Sequence, residues 1–570
     1  MDRRVVYAVL LMLAVMILPA VLFKRPVGRT AGQPDTTRTV GRPDSTLPTA
    51  AAVPPAVGPT VQPRDSTLIP EDTILVSGPL YRYAFSTRGG RLIEATLLKY
   101  RSMRPDERGR PAQILQPGSE LLGLSLLVGS DTVSLRDWHF TPSAPSLTIT
   151  EPTPLSFTAQ HGALSVTLNY TFRPTDYLVD VSGKIDGAGP NGAVLLISMG
   201  PGLRNTESDS VEHHRELGVV VKDGKANLTR FTNLTRKAGD LWEPRFMAFN
   251  GPFEWVAVKS KYFVTAILAL DTTSTGQHGG ISGASGVGTE RVRSTSKATI
   301  TAGLPVPAAG SFHFQLYAGP MEYPRLRAIG HDFDDVNPYG LPGLRTIIRP
   351  VALGARALLV WLHDGMGLAY GLGLILFGVA IRVVLWPLNQ KAMRSSMALQ
   401  AVQPLMKELQ ERFKSEPQKL QQEMFKLYKE HNVNPLGGCW PMLLPIPILF
   451  AFFFVFQNTI ELRGASFLWL PDLSRPDPTY AIPILMGISM LVLSWTGQRG
   501  MPPNPQTKMM LYVMPAMMTF LFLRFASGLN LYYTVMNLAS LPQQWLLSRE
   551  RLRRNPKPPP PNPKTLPGKR

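Results

Sequence analysis

Glu212, His213, His214 and Glu216 crowd into VEHHRE, residue types that ligate divalent cations. A metal centre would need a second ligand group at an interpretable spacing, and none follows, so a solvated loop is the competing reading. The sequence offers no frame for nucleophilic or phosphate chemistry: HExxH, GxSxG and GxxxxGK[ST] are all absent. GASGVG at 283–288 is followed by no lysine and no helix start, which makes it a flexible turn rather than a phosphate cradle. The single cysteine, Cys439, sits in GGCWP without a basic neighbour to activate it, and a packing role is its default. One cysteine permits neither an intrachain disulfide nor a cysteine metal cluster. No pattern calls for a cofactor or a metal.

Arg382 is different. It stands in GVAIRVVLWPLNQKAMR, 378–394, inside a segment suited to hydrocarbon. A cation at membrane depth costs about 2.5–3.5 kcal/mol on insertion scales, so it normally faces protein or water. Snorkelling is the simpler account: if the helix reaches Leu388 at the membrane edge, Arg382 lies roughly 9 Å deep, near the limit of its reach. Helical steps put Gly371, Ile375, Gly378, Arg382, Trp386 and Asn389 on one face, small above the arginine and polar below. The last apolar segment carries its own polar stripe, Asn530, Tyr533, Asn537, Ser540 and Gln544. Such a stripe either glues helices together by hydrogen bonds or lines a shared hydrophilic groove. No Asp or Glu falls in the apolar cores to neutralise Arg382, so a groove with a standing positive charge would attract a carboxylate from outside.

These residues need a membrane framework. The 570-residue chain carries a net charge of +19, which suits an anionic partner, lipid head group or nucleic acid. Residues 5–23, VVYAVLLMLAVMILPAVLF, are long enough to span a bilayer and lack a small-residue cleavage site, favouring a retained anchor (1–23) over a signal peptide. Five further apolar segments, near 367–388, 440–457, 480–497, 509–526 and 528–547, bring the expected count to six. Lys and Arg crowd 389–439 and the C-terminal tail, whereas 458–479 has only Arg463 and Arg475. The positive-inside rule therefore places both termini in the cytoplasm and 24–364 outside.

The external part divides. Residues 24–65, rich in Pro, Thr and Gly, form a flexible linker. Residues 66–335 alternate in runs such as LSVTLNYTF and WVAVKSKYFVTAIL, with turn signals at RGG (88–90), DG (223–224) and GASGVG, which predicts a large all-β sandwich. Arg345, Arg349 and Arg356 punctuate 343–363, predicting an amphipathic helix in the membrane interface with its cations at head groups; a seventh span competes. A five-span core at 365–547 follows, interrupted by a helical hairpin at 390–432 that turns at Ser415–Glu416–Pro417. The basic tail, 548–570, with Arg549, Arg551, Arg553, Arg554 and Lys557, suits anionic lipid or ribosomal RNA phosphates, against a role in topology alone.

With these pieces placed, the chain resembles a YidC-type membrane protein insertase of the Gram-negative form. The matching stretches are IRVVLWPL, KLYKEHNVNPLGGCWP at 426–441, ELRGASFLWLPDLSRPDPTYAIPILMG at 461–487 and FASGLNLYY at 525–533. STRGGRLIEATLLKY and WVAVKSKYFVTAIL carry a weaker similarity to that form's periplasmic domain, whose sandwich is mutarotase-like. The resemblance implies an inner-membrane, non-ATP-driven insertase and chaperone, not an enzyme. It would help nascent membrane proteins enter the bilayer, alone or beside the Sec translocon, with the ribosome a candidate partner through the tail and hairpin. It also implies that Arg382 is the groove arginine and that Tyr532 and Tyr533 match a substrate-contacting element, helical spacing favouring Tyr533. The position one turn before the arginine, polar in some relatives, is Gly378 here. Two other classes stay open: a transporter or channel for an anionic solute, which would show repeated halves, and an anchored carbohydrate-processing enzyme, which would need a paired acid and base.

Overall fold

In a computed structural model of the protein, the described residues are 71–238, 241–270, 280–292, 295–340, 344–414, 416–431, 445–499 and 509–554. The expected anchor and linker, Cys439 and Lys557 lie outside them.

Alternation builds the N-terminal domain. In Leu164–Phe172, Val166, Leu168, Tyr170 and Phe172 turn inward while their neighbours are partly exposed. This strand pairs antiparallel with Thr153–His161 and Leu178–Asp186 inside a nine-stranded sheet. A six-stranded antiparallel sheet centred on Thr295–Val306 and a five-stranded sheet around Tyr81–Ser86 complete a β-sandwich, and one hydrophobic cluster draws side chains from all three. Trp255–Lys259 and Phe263–Leu268 do not alternate, because every residue in them is buried. Their outer face is covered in part by Phe333, whose ring meets Trp255 at 5.3 Å.

Two of the expected turns hold. Gly89 and Gly224 have φ of +77° and +58°, and Gly224 closes a hairpin between Gly218–Asp223 and Lys225–Arg230. GASGVG does not: it lies within the strand Ile281–Val292. A Cβ on Gly288 would sit 2.1 Å from the Leu234 carbonyl oxygen, so that glycine serves close packing rather than a bend. VEHHRE is likewise no solvated loop. It belongs to helix α1 (Ser210–Glu216), whose first amides, Val211 and Glu212, donate to the Asp209 carboxylate at 3.0 Å. His213 is buried against the Leu203 carbonyl, and His214 turns to the Ser210 carbonyl. Among the described residues no cluster of three metal-ligating side chains forms.

Helix α2 (Tyr323–Ile329) ends the sandwich, and α3 (Arg345–Met366) follows. The arginines of α3 are not left to head groups. Arg345 pairs with Asp335, Arg349 with Asp334, and buried Arg356 with Glu461, while exposed Ile347, Leu358 and Trp361 are spread along the helix.

The helical region contains α4 (Tyr370–Val384), α5 (Trp386–Ala401), α6 (Gln403–Arg412), α7 (Pro417–Glu430), α8 (Pro445–Asn458), α9 (Ala481–Gln498), α10 (Met514–Phe522) and α11 (Ser527–Arg554). Among the described residues, α3 and α9 have the length and apolar composition to cross a membrane, and Tyr370–Val384, Pro447–Asn458 and Leu511–Phe522 are shorter apolar helices. Helices α6 and α7 meet where the Tyr428 hydroxyl reaches the Met406 sulfur at 3.7 Å; Ser415 of the turn expected there lies outside the described residues. Helix α11 runs to Arg554, so Arg549, Arg551, Arg553 and Arg554 stand on a helix rather than in an irregular tail.

Candidate functional site: a lone arginine in the helical bundle

Apolar faces bring α4, α8, α9 and α11 together, and glycines set how closely. A Cβ on Gly378 of α4 would lie 3.1 Å from Val535 Cγ1 and 3.6 Å from the Tyr532 ring, both on α11. Gly378, expected on a groove wall, is therefore a position of close packing against α11. Eleven residues further along α11, Gln543 donates Nε2 to the Trp386 carbonyl at 2.9 Å, a second tie to the chain beyond α4. Arg382 lies one turn after Gly378, on the face that leads from the first tie to the second.

Its setting is unusual for a cation. Helices α4, α8, α9 and α10 contain no Asp or Glu, and the one acid of α11, Glu550, lies 3.7 Å from Arg394. Arg382 is half-buried, and its Nε is buried without a hydrogen-bond partner. Three more buried polar atoms along α11 share that condition: Asn530 Oδ1, the Tyr532 hydroxyl and Gln543 Oε1. Buried polar groups are rarely left unmade, because each costs about 1–3 kcal/mol. Of these, the Tyr532 hydroxyl lies on the Arg382 side of α11, and an unpartnered hydroxyl on the side of a guanidinium suits water or a polar visitor.

Tyr532 is held firmly. Its ring stacks on Phe452 of α8 at 4.0 Å and approaches Phe377 of α4 at 6.2 Å. Tyr533 points elsewhere, meeting the Phe522 ring of α10 at 5.5 Å edge-on. Tyr532, not Tyr533, is the tyrosine on the arginine's side.

The polar stripe of α11 divides accordingly. Asn537 donates to the Ser489 hydroxyl of α9 at 3.0 Å, and a Cβ on Gly497 of α9 would overlap the Gln544 amide. Asn530 caps the end of α10 through the Phe522 carbonyl at 3.0 Å, and the Ser540 hydroxyl bonds within its own helix to Met536. Asn530, Tyr533, Asn537 and Gln544 thus join α11 to α9 and α10, as interhelical glue, and are not gathered around Arg382. Asn389, half-buried on α5, continues the helical hydrogen bonding from Leu385 at 2.9 Å.

One end of the bundle is plugged by residues 459–480. Phe467 fills the space beside Gly371, the Ser527 and Gly528 amides donate to the Arg475 and Leu473 carbonyls at 2.6 and 3.0 Å, and Asp477 receives the Ile482 amide at the start of α9 at 2.8 Å. The same segment grips the sandwich. Arg463 is nearly buried, bonds Glu207 at 2.9 Å, and donates to the Arg101 and Thr206 carbonyls at 2.7 and 3.1 Å.

Comparison with known proteins decides the family. The 60Kd inner membrane protein family matches residues 361–554, and the YidC periplasmic domain family matches 73–353. The membrane protein insertase YidC of Chlorobaculum tepidum is 32% identical over 505 residues, covering 83% of this chain and 81% of that one. The chain belongs to the YidC family of membrane protein insertases. Among solved structures, an active YidC insertase with its first transmembrane domain resolved is similar at 17% identity and a TM-score of 0.33, covering 84% of this chain and 95% of that one. A galactose mutarotase related enzyme from Lactobacillus acidophilus is similar over 43% of this chain and 97% of its own, at 11% identity and a TM-score of 0.25.

The sequence reading singled out Arg382, favoured Tyr533 over Tyr532, and passed over Gln543, which sits beside Gln544 of the polar stripe. The signal was present: LPQQ sets two amides on adjacent faces, and only one can belong to a single stripe. Arg463 and its Glu207 socket were also missed, since residues 256 apart in sequence leave no local trace of their pairing.

Proposed function

We propose that the chain inserts hydrophobic segments into the inner membrane through a hydrophilic groove beside α4 and α11, with Arg382 as its fixed charge. The observation that carries this reading is a guanidinium with no acid in α4, α8, α9 or α10, its Nε buried without a hydrogen-bond partner and the unpartnered Tyr532 hydroxyl on its side of α11. The polar, translocated end of a nascent membrane protein would otherwise cross hydrocarbon at a cost of several kcal/mol. Water and Arg382 lower that cost, while burial of the client's apolar segment in lipid supplies direction. No bound nucleotide is required for such a step.

The plug at 459–480 supports a groove that is closed on one side and open on the other. Loop charges support an orientation with the α5–α7 side and the termini in the cytoplasm and the sandwich in the periplasm, since Lys and Arg crowd that side and the tail. Clients are nascent membrane proteins, met alone or beside the Sec translocon. The hairpin and the cations at the end of α11 are the surface offered to anionic lipid and to a translating ribosome. Photocrosslinkers at positions 382 and 532 test the reading: they should capture the translocated segment of a nascent client, and capture at 533 should be weaker. Equal capture from lipid-facing positions such as Val383 and Val384 would overturn it.

A further inference from the structure

An open, solvent-facing cavity of about 660 Å³ lies on the sandwich between one end of its nine-stranded sheet and α2. Arg173 and Asp176 reach it from the turn before Leu178–Asp186, Gln315 from the neighbouring strand, and Glu322 and Arg325 from the start of α2. The lining charges balance, two guanidinium groups against two carboxylates, and the guanidiniums are already engaged. Arg173 pairs with Asp180; Arg325 lies 2.8 Å from Glu322 and 3.5 Å from Asp176. Gln315 donates to the Asp180 carboxylate at 2.8 Å, and Glu322 also accepts from the Tyr100 hydroxyl. Leu178, Leu270 and Ile329 supply apolar lining.

These pairs restrict what can enter. An anion would meet the carboxylates and a cation the guanidiniums, each having to break a close pair for a partner of equal worth. A wholly apolar ligand would strand the polar groups it covers. A neutral molecule that offers hydroxyl donors, hydroxyl acceptors and C–H surface together meets none of these penalties, and the volume falls within the roughly 300–1,000 Å³ of small-ligand sites. We infer that this cavity binds a neutral saccharide of one to three rings, a role separate from insertion.

The test uses the full chain in phospholipid nanodiscs free of glycoside detergent, with maltotriose and chitotriose as neutral probes and galacturonate and spermidine as charged ones, read by saturation-transfer NMR. A neutral trisaccharide should give a saturable signal, and neither charged probe should compete with it. Ala328→Trp, an exposed lining position on α2, should weaken that binding at least tenfold without changing thermal unfolding, and Gln315→Leu, which also gives up the amide's bond to Asp180, should weaken it by a similar factor. Absence of signal from both trisaccharides, tighter binding of either charged probe, or full binding by both variants would overturn the inference. Insertion by Ala328→Trp should stay at the parental level, so the saccharide site and the insertase reading fail or stand separately.

Discussion

Replacing Arg382 with methionine removes the charge and keeps most of the side chain's volume, so it isolates the electrostatic part of the proposed mechanism. No acid in the surrounding helices holds the guanidinium, so its full charge is available to a client. A client carboxylate passing at about 8 Å gains about 2 kcal/mol at an effective dielectric constant near 20 and about 0.5 kcal/mol if the groove behaves as bulk water. The half-burial of Arg382 and its unbonded Nε favour the upper figure. An energy of 2 kcal/mol corresponds to about a 30-fold rate difference. The assay is insertion into proteoliposomes, followed by protease protection, of two clients that differ by one Asp or Asn in the translocated tail. Arg382→Met should slow the Asp client by roughly 10- to 30-fold, following that arithmetic, and should leave the Asn client within a few-fold of the parent. Arg382→Lys should recover most of the difference. If Arg382→Met slows both clients equally, the arginine acts through packing and the electrostatic reasoning fails.

Three further outcomes follow from the packing and burial. Gly371→Ala places a Cβ 2.1 Å from the Phe467 ring and should cost about 1–3 kcal/mol, seen as a lower unfolding temperature with loosening of residues 459–480 in hydrogen exchange. Arg463→Ala leaves Glu207 behind in a largely buried socket and should destabilise the contact between sandwich and helices by about 3–5 kcal/mol, measured by thermal unfolding against Arg463→Ala/Glu207→Gln, which should recover part of the loss. Burial lowers the pKa of His213 from its ordinary 6.5 to about 3. The unfolded chain therefore takes up a proton that the folded domain refuses, and stability present above pH 6.5 is lost as the pH falls toward 3. Between pH 7 and 5 that loss should be about 2 kcal/mol in chemical denaturation, and His213→Gln should remove this share of the slope.

Sequence alone determined the materials. Period-two alternation in LSVTLNYTF and period-3.6 apolar runs follow from the geometry of one strand or one helix, so each could be read without knowing a partner. The isolation of Arg382 was legible for the same reason, because it depends only on which residue types the bundle segments lack. Partner choice was not. Adjacent residues on a helix diverge by about 100°, so assigning Tyr532 to the arginine's side and Tyr533 to α10 required knowing where α4 and α10 stand. Glycines in GASGVG look the same whether they bend a chain or admit a neighbour, and only the approach of Leu234 distinguishes the two. The arginines of α3 announced an interface, yet acids at 334, 335 and 461 claimed them. Local periodicity encodes which groups shun water, whereas the identity of what each one touches is a property of contacts between distant segments, and those exist only once the chain has folded.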